Sequence, residues 1–290
     1  MKKIFIVIFL TTAFFTASAQ DLNKLISDRI CNCIDTIENI DSLEAKLDRC
    51  VNESVTVFWN SDDDEQLEHF AESDTIQNTI DSVMAEFVQY CPKVMAFLLT
   101  EKEAKFYKLS ESDAANKYYK TGINAFNSND YESAEKQFLK AIKEDGKFVY
   151  AYDNLGLTYR RLKNYRKSVR YFSGSLEIFP EGRFALQNQA VAFLELKDNL
   201  NALKNYIMLI SLYPDDPEGY FGSARVQYLN EDYENALDYA LYAYKMYITQ
   251  KSDFVKDAEQ LISLIHDKMK DQGKVDVYIK KSGEYGIQVQ

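Results

Sequence analysis

Apolar residues in the C-terminal two thirds of the chain recur every three to four positions, the spacing of one face of an α-helix, with polar residues between them. The pattern also repeats on a longer scale, every 34 residues. One column holds the small residues Gly122, Gly156, Ala190, Ala224 and Ala258. A second holds Ala134, Ser168, Ala202 and Ala236, and a third Ala141, Ser175, Leu209 and Ala243. Large residues keep columns of their own: Tyr118, Tyr152, Leu186, Tyr220 and Phe254, then Phe138, Phe172, Tyr206 and Ala240. Between the two helices of each unit stand Asp130, Asn164, Asp198 and Asp232, short polar side chains suited to cap the second helix. Gly146, Pro180 and Pro214 end that helix. The pattern predicts helix pairs over about 115–148, 149–182, 183–216 and 217–250, then a capping helix over 251–270 and a charged tail.

Upstream the periodicity is shorter-lived. Leu22, Ile26, Ile30, Cys33 and Ile37 form one helical stripe, and Leu43, Leu47, Cys50, Val51 and Phe58 a second. Asp41 and Glu44 have the spacing of a capping box, which ends the first helix near Glu38 and starts the second at about Ser42. A third stripe runs through Ile76, Ile80, Val83, Met84, Phe87 and Cys91. Residues two apart on a helix point to different sides, so Cys31 and Cys33 are each expected to pair with one of Cys50 and Cys91. Hairpin geometry brings either of them near Cys50.

The first residues add a compartment. Lys2 and Lys3, the apolar stretch Ile4 to Phe15 and Ala17-Ser18-Ala19 before Gln20 follow the pattern of a secretory signal. About a dozen apolar residues fall short of the roughly 20 that span a bilayer, and the longest later apolar run is Val94 to Leu99. The first cysteine is Cys31, so the lipid-modified cysteine of a lipoprotein is missing from the cleavage point. The expectation is an exported protein, periplasmic or secreted, whose four cysteines form two bridges. Its divisions are a signal over 1–19, a cysteine-containing helical domain and linker over 20–110, and the repeat array over 111–290.

The 34-residue columns resemble the tetratricopeptide repeat: small residues where two helices of one unit approach, aromatic residues that wedge between units, and a helix-ending proline. The resemblance implies an all-α fold, a right-handed α-solenoid of helix pairs preceded by a small disulfide-braced helical domain. It departs at Leu209, where a small residue is usual, at Ala240, where an aromatic is usual, and at Ile248, which stands in place of proline. In this family the first helix of each unit faces the concave groove. That implies partner contacts at Tyr119, Ile123, Phe126, Asp153, Leu157, Arg160, Gln187, Val191, Leu194, Phe221, Arg225 and Tyr228. Several of these positions equally suit packing between repeats. The resemblance also argues against one role. Family members that grip a chaperone's C-terminal carboxylate use lysine, asparagine and arginine at matching positions, and here Tyr119, Ile123, Phe184 and Asn188 replace them, with Asn154 alone retained.

Composition narrows the chemistry. A formal charge of −11 and a pI near 4.9 set a field that repels phosphate backbones and anionic lipid, so nucleic acid is not an expected partner. His69 and His266 are the chain's two histidines, too few for a histidine-rich metal site. Asp62-Asp63-Asp64-Glu65 lacks the alternating ligands and central glycine of a calcium loop. The sequence contains no G-x-S-x-G, phosphate loop, dinucleotide fingerprint or H-E-x-x-H. Arg160, Arg161, Lys163, Arg166, Lys167 and Arg170 make a basic cluster, either a solvated face or a dock for an acidic partner. The expected function is a non-catalytic scaffold or adaptor of the bacterial cell envelope that binds a protein or peptide and needs no metal or cofactor. The alternatives are a thiol-redox factor using Cys31 and Cys33, and an envelope assembly factor acting through self-association. The redox reading is disfavoured because Arg29 is the only nearby cation and the cysteines lie late in their helix, where its dipole opposes a thiolate.

Overall fold

A computed structural model describes residues 17–34, 36–59, 83, 87 and 91–287. Residues 1–16 of the expected signal, the acidic run Asp62 to Glu65, His69, and Ile76, Ile80 and Met84 of the expected third stripe lie outside the described residues. Every regular element among the described residues is helical, and the chain divides into two compact units that meet between Thr100 and Glu101.

The first unit carries α1 (Ala17–Cys33) and α2 (Ile40–Trp59), with α3 (Pro92–Phe106) starting inside it. Its core joins Ile26, Ile30 and Ile34 to Leu43, Cys50 and Val51, with Val83, Phe87, Cys91 and Val94 buried against them. Two disulfides brace it, Cys33–Cys50 and Cys31–Cys91, spanning 17 and 60 residues. Cys33 is therefore the residue that the hairpin brings to Cys50.

Two details of the hairpin differ from the periodicity. The first helix ends at Cys33 rather than near Glu38, and Ile34 turns into the core while its carbonyl accepts from the Lys93 ammonium. The cap of α2 is Asn39, whose Oδ1 accepts from the Ser42 amide at 2.9 Å while Ser42 Oγ accepts from the Asn39 amide at 3.1 Å. This reciprocal pair sits two residues ahead of the Asp41/Glu44 box, because an asparagine with serine three positions on closes two orphan donors in the same way.

The second unit is a stack of antiparallel helix pairs. They are α4 (Asp113–Asn127) with α5 (Tyr131–Glu144), α6 (Val149–Arg161) with α7 (Tyr165–Ile178), α8 (Arg183–Glu195) with α9 (Asn199–Leu212), and α10 (Pro217–Leu229) with α11 (Tyr233–Thr249). A fifth pair follows, α12 (Val255–Asp271) with α13 (Val275–Glu284). The segment that reads in sequence as a charged tail is thus a helix, held by buried Tyr278 and Ser282 and by a Lys281–Asp238 ion pair at 2.5 Å. Two buried positions in ten residues are too few for the periodicity to register.

Each turn inside a pair has the same chemistry. Asn129, Lys163, Lys197 and Glu231 adopt φ between 57° and 62°, and Asp130, Asn164, Asp198 and Asp232 then cap the second helix through the amide three residues on. Pro180 and Pro214 stand just past the cap residues Phe179 and Tyr213 that close α7 and α9, whereas α11, with Ile248 in that place, runs on to 17 residues against 14. At Phe138 and Phe172 the aromatic columns mesh with the small ones within pairs rather than wedging between units, because the missing Cβ leaves room for a ring from the other helix of the same pair. A Cβ on Gly122 would lie 2.6 Å from the Phe138 ring, and one on Gly156 would lie 2.9 Å from that of Phe172. The departures compensate locally: Leu209 is buried against Gly219, and Ala240 is fully buried in the same core as Ala224.

Candidate functional site

Each second helix packs on the first helix of the next pair, and successive first helices also touch one another. That closer approach makes the face of α4, α6, α8, α10 and α12 the inner, concave face of the stack. It is the face on which the 34-residue register places the candidate contacts. Ile123, Leu157, Gln187, Val191, Leu194 and Arg160 are half-buried, and Arg225 is exposed.

The aromatic candidates are less free than a binding surface of bare rings would be. Tyr119 and Phe126 pack against the core of Phe138, Leu155 and Tyr159, and Phe221 and Tyr228 pack against Ala224, Leu237 and Leu241. All four rings are half-buried. Gln187 Nε2 donates to Glu218 at 2.8 Å, which ties α8 to α10. Asn154, the clamp position retained in sequence, donates to the Tyr150 carbonyl at 2.8 Å and to the Tyr119 hydroxyl at 3.3 Å. Its amide is spent inside the array.

Asp153 differs most from the expectation of an open groove residue. It is 2 % exposed. Its Oδ2 accepts from the Tyr107 hydroxyl at 2.8 Å, and its Oδ1 has no hydrogen-bond partner. Burial pushes its carboxyl up to about 6, against the opposing pull of the Ser175 and Tyr107 hydroxyls. Burial also raises Tyr107, with the neighbouring Asp153 and Glu103 adding to the effect, and raises Tyr119 to about 12.

Sequence periodicity gave no sign of the segment that supplies Tyr107. Residues 101–107 lie along the second and third pairs: Lys102 pairs with Glu181 at 2.5 Å, Phe106 stacks on Phe179 at 5.1 Å, and Tyr213 donates to Glu103 at 3.5 Å. Together with the inner face they enclose a cavity of about 470 Å³ lined by Glu103, Tyr107, Tyr119, Tyr150, Asp153, Asn154, Leu157, Arg183 and Phe184. Its size is that of a small-ligand or side-chain pocket. The readable signal was compositional: Phe106-Tyr107 are two large rings in a polar stretch.

In the basic cluster, Lys167 lies 3.8 Å from Glu135 and over the Tyr159 ring, while Arg161, Lys163, Arg166 and Arg170 are exposed. Arg160 is half-buried, its guanidinium pKa lowered by burial and by Arg161. Cys31 and Cys33 are bonded to different partners, so they do not form one exchanging dithiol pair. Among the described residues no group of three metal-ligating side chains occurs, and no helix is long and apolar enough to cross a membrane.

The tetratricopeptide repeat family matches residues 119–183 and 188–251. The auxiliary subunit NAA15 of the N-terminal acetyltransferase A complex of Arabidopsis thaliana is 24 % identical over 166 residues, 50 % of this chain and 18 % of that protein. The Sol locus transcriptional repressor of Clostridium acetobutylicum is 29 % identical over 135 residues, 45 % of this chain and 40 % of its own. The chain thus spans less than half the length of these relatives. Among solved structures, a crystal structure of MamA protein superposes on 61 % of this chain and 98 % of its own, with a TM-score of 0.49 and 18 % identity. With the helix pairs and the 34-residue columns already described, the match makes this a protein that carries tetratricopeptide repeats over residues 119–183 and 188–251.

Proposed function

We propose that the protein is an interaction scaffold of the bacterial cell envelope whose array holds a peptide segment of a protein partner along its concave face. The observation that carries this reading is the inner face itself, where first helices of successive pairs leave half-buried rings, aliphatic side chains and a 470 Å³ cavity in line. Surfaces of this kind offer large contact area at little cost in side-chain entropy. The relative from Arabidopsis is by name an auxiliary subunit of a complex, a role in keeping with a scaffold. The two disulfides of the first unit support an oxidising compartment, as do the signal-like first residues.

A library of random nonapeptides screened against the full chain tests the reading. Selected peptides should lose at least tenfold in affinity for a Leu157→Arg, Val191→Arg variant and keep it for Arg170→Glu, which alters the exposed outer helix α7. Peptides that bind both variants alike would remove the concave face from consideration.

A further inference from the structure

The cavity at the start of the concave face has an unbalanced charge. Two carboxylates line it, Asp153 from α6 and Glu103 from the segment before the array. Among the described residues no cation pairs with either. Arg183, the one cation on the wall, is already committed: its guanidinium lies 3.2 Å from Asp216 and over the Tyr213 ring at 5.6 Å. Lys102, next in line, is held by Glu181 at 2.5 Å. Uncompensated carboxylate in a partly enclosed space draws in positive charge and repels anions.

The remaining wall is aromatic. The Tyr107 and Tyr150 rings meet edge to face at 5.3 Å, Tyr150 stacks on Tyr119 at 6.0 Å, and Phe184 closes the far side. Ring faces of this kind attract organic cations and gain strength as water is excluded. At the cavity's edge Asp153 is 2 % exposed, and the donors that act on its carboxylate, the Tyr107 and Ser175 hydroxyls, carry no positive charge. A buried carboxylate without a cation beside it costs free energy unless something supplies the charge.

We propose that this cavity is a receptor for one organic cation, the lysine or arginine side chain of a bound peptide, held between the tyrosine rings with its donors on Glu103 and its charge beside the buried carboxylate of Asp153. The assignment rests on the peptide-binding reading of the concave face and adds the chemistry of one anchor residue. An ammonium or guanidinium satisfies what an apolar or acidic side chain cannot, since it alone brings both donors and positive charge.

The test is a titration of the full chain carrying ¹³C-labelled tyrosine, with n-butylguanidinium and n-butylammonium as probes and n-butylurea as the neutral control. At pH 7.5 the Tyr107, Tyr119 and Tyr150 resonances should shift and saturate with the two cations and not with the urea, while Tyr220 and Tyr242 stay still. The Glu103→Gln, Asp153→Asn variant should lose at least tenfold in cation affinity. Equal response to the urea, or undiminished cation binding by the variant, would overturn the assignment whatever the rest of the groove does. A second arm separates the sources of the cation. Nonapeptides differing at one central residue should rank lysine and arginine at least tenfold above norleucine and glutamate, and above the free probes. Free cations binding as tightly as the peptides would make the cavity a small-molecule site and overturn the peptide assignment alone. Peptides bound without preference for a basic residue would leave the concave-face reading standing and remove the cage from it.

Discussion

Asp153 offers the sharpest perturbation, Asp153→Asn. A carboxyl that is 2 % exposed and raised from 3.8 to about 6 is held against its preference to ionise. At about 1.4 kcal/mol per pH unit, that rise corresponds to about 3 kcal/mol between the protonated and ionised array. The sign follows from the direction: the folded pKa is the higher one, so the stabilising contribution is fully present below pH 4 and is lost as pH rises through 6. Asparagine has the shape of the acid without the charge. Its carbonyl can accept from Tyr107 as Oδ2 does, at the present 2.8 Å. The variant's stability relative to wild type should therefore climb by about 3 kcal/mol between pH 4 and pH 7 and stay level above. For an array of this size that is roughly 6–12 °C in melting temperature. Thermal unfolding of both proteins, followed by circular dichroism at half-unit steps of pH, gives the difference curve, in which the titration of every other carboxylate cancels. A curve that is flat, or that falls with rising pH, would refute both the burial argument and the idea that the ionised carboxylate is retained for a ligand at the expense of stability.

Tyr107→Phe removes the hydroxyl that holds Asp153 and should cost about 1–3 kcal/mol at pH 8, an effect that urea unfolding should show shrinking in the Asp153→Asn background. Gly156→Ala places a methyl 2.9 Å from the Phe172 ring and should destabilise by about 1–3 kcal/mol, whereas Gly146→Ala, with nothing within 4 Å, should change urea stability little. Reductant should loosen the first unit before the array, because closing loops of 17 and 60 residues contributes about 3 and about 4 kcal/mol in the chain-entropy treatment. Limited proteolysis with and without dithiothreitol reads this out, and equal loss of both units would contradict it.

The array was legible because its information is local and repeated. Small residues at Gly122 and Gly156 face large ones at Phe138 and Phe172 in the same pair, and the turn acids cap the helix they precede, so each constraint lies within one 34-residue period. What escaped depends on contacts across long sequence separation. Tyr107 reaches Asp153 across 46 residues and Glu103 reaches Tyr213 across 110, and neither Tyr107 nor Glu103 belongs to a period. Asp153 therefore reads as a polar groove position when its burial is set by a segment outside the repeats. The choice of Cys33 for Cys50 likewise turns on where α1 ends, a boundary fixed by Ile34 entering the core and Lys93 meeting its carbonyl. The Asn39–Ser42 cap was missed because asparagine and serine close the box without the acidic residue that usually marks it.

The central claim is that the partner docks on the face of the first helices. Site-specific photo-crosslinking in the native cell tests it most directly, with a benzoylphenylalanine placed in turn at Leu157, Val191 and Arg225 on the inner face and at Arg170, Leu200 and Lys245 on the outer helices. The account predicts one adduct of common mass from the inner positions, competed away by an excess of a selected nonapeptide, and none from the outer ones. Adducts from the outer positions alone would contradict it and move the binding surface to the convex side of the array.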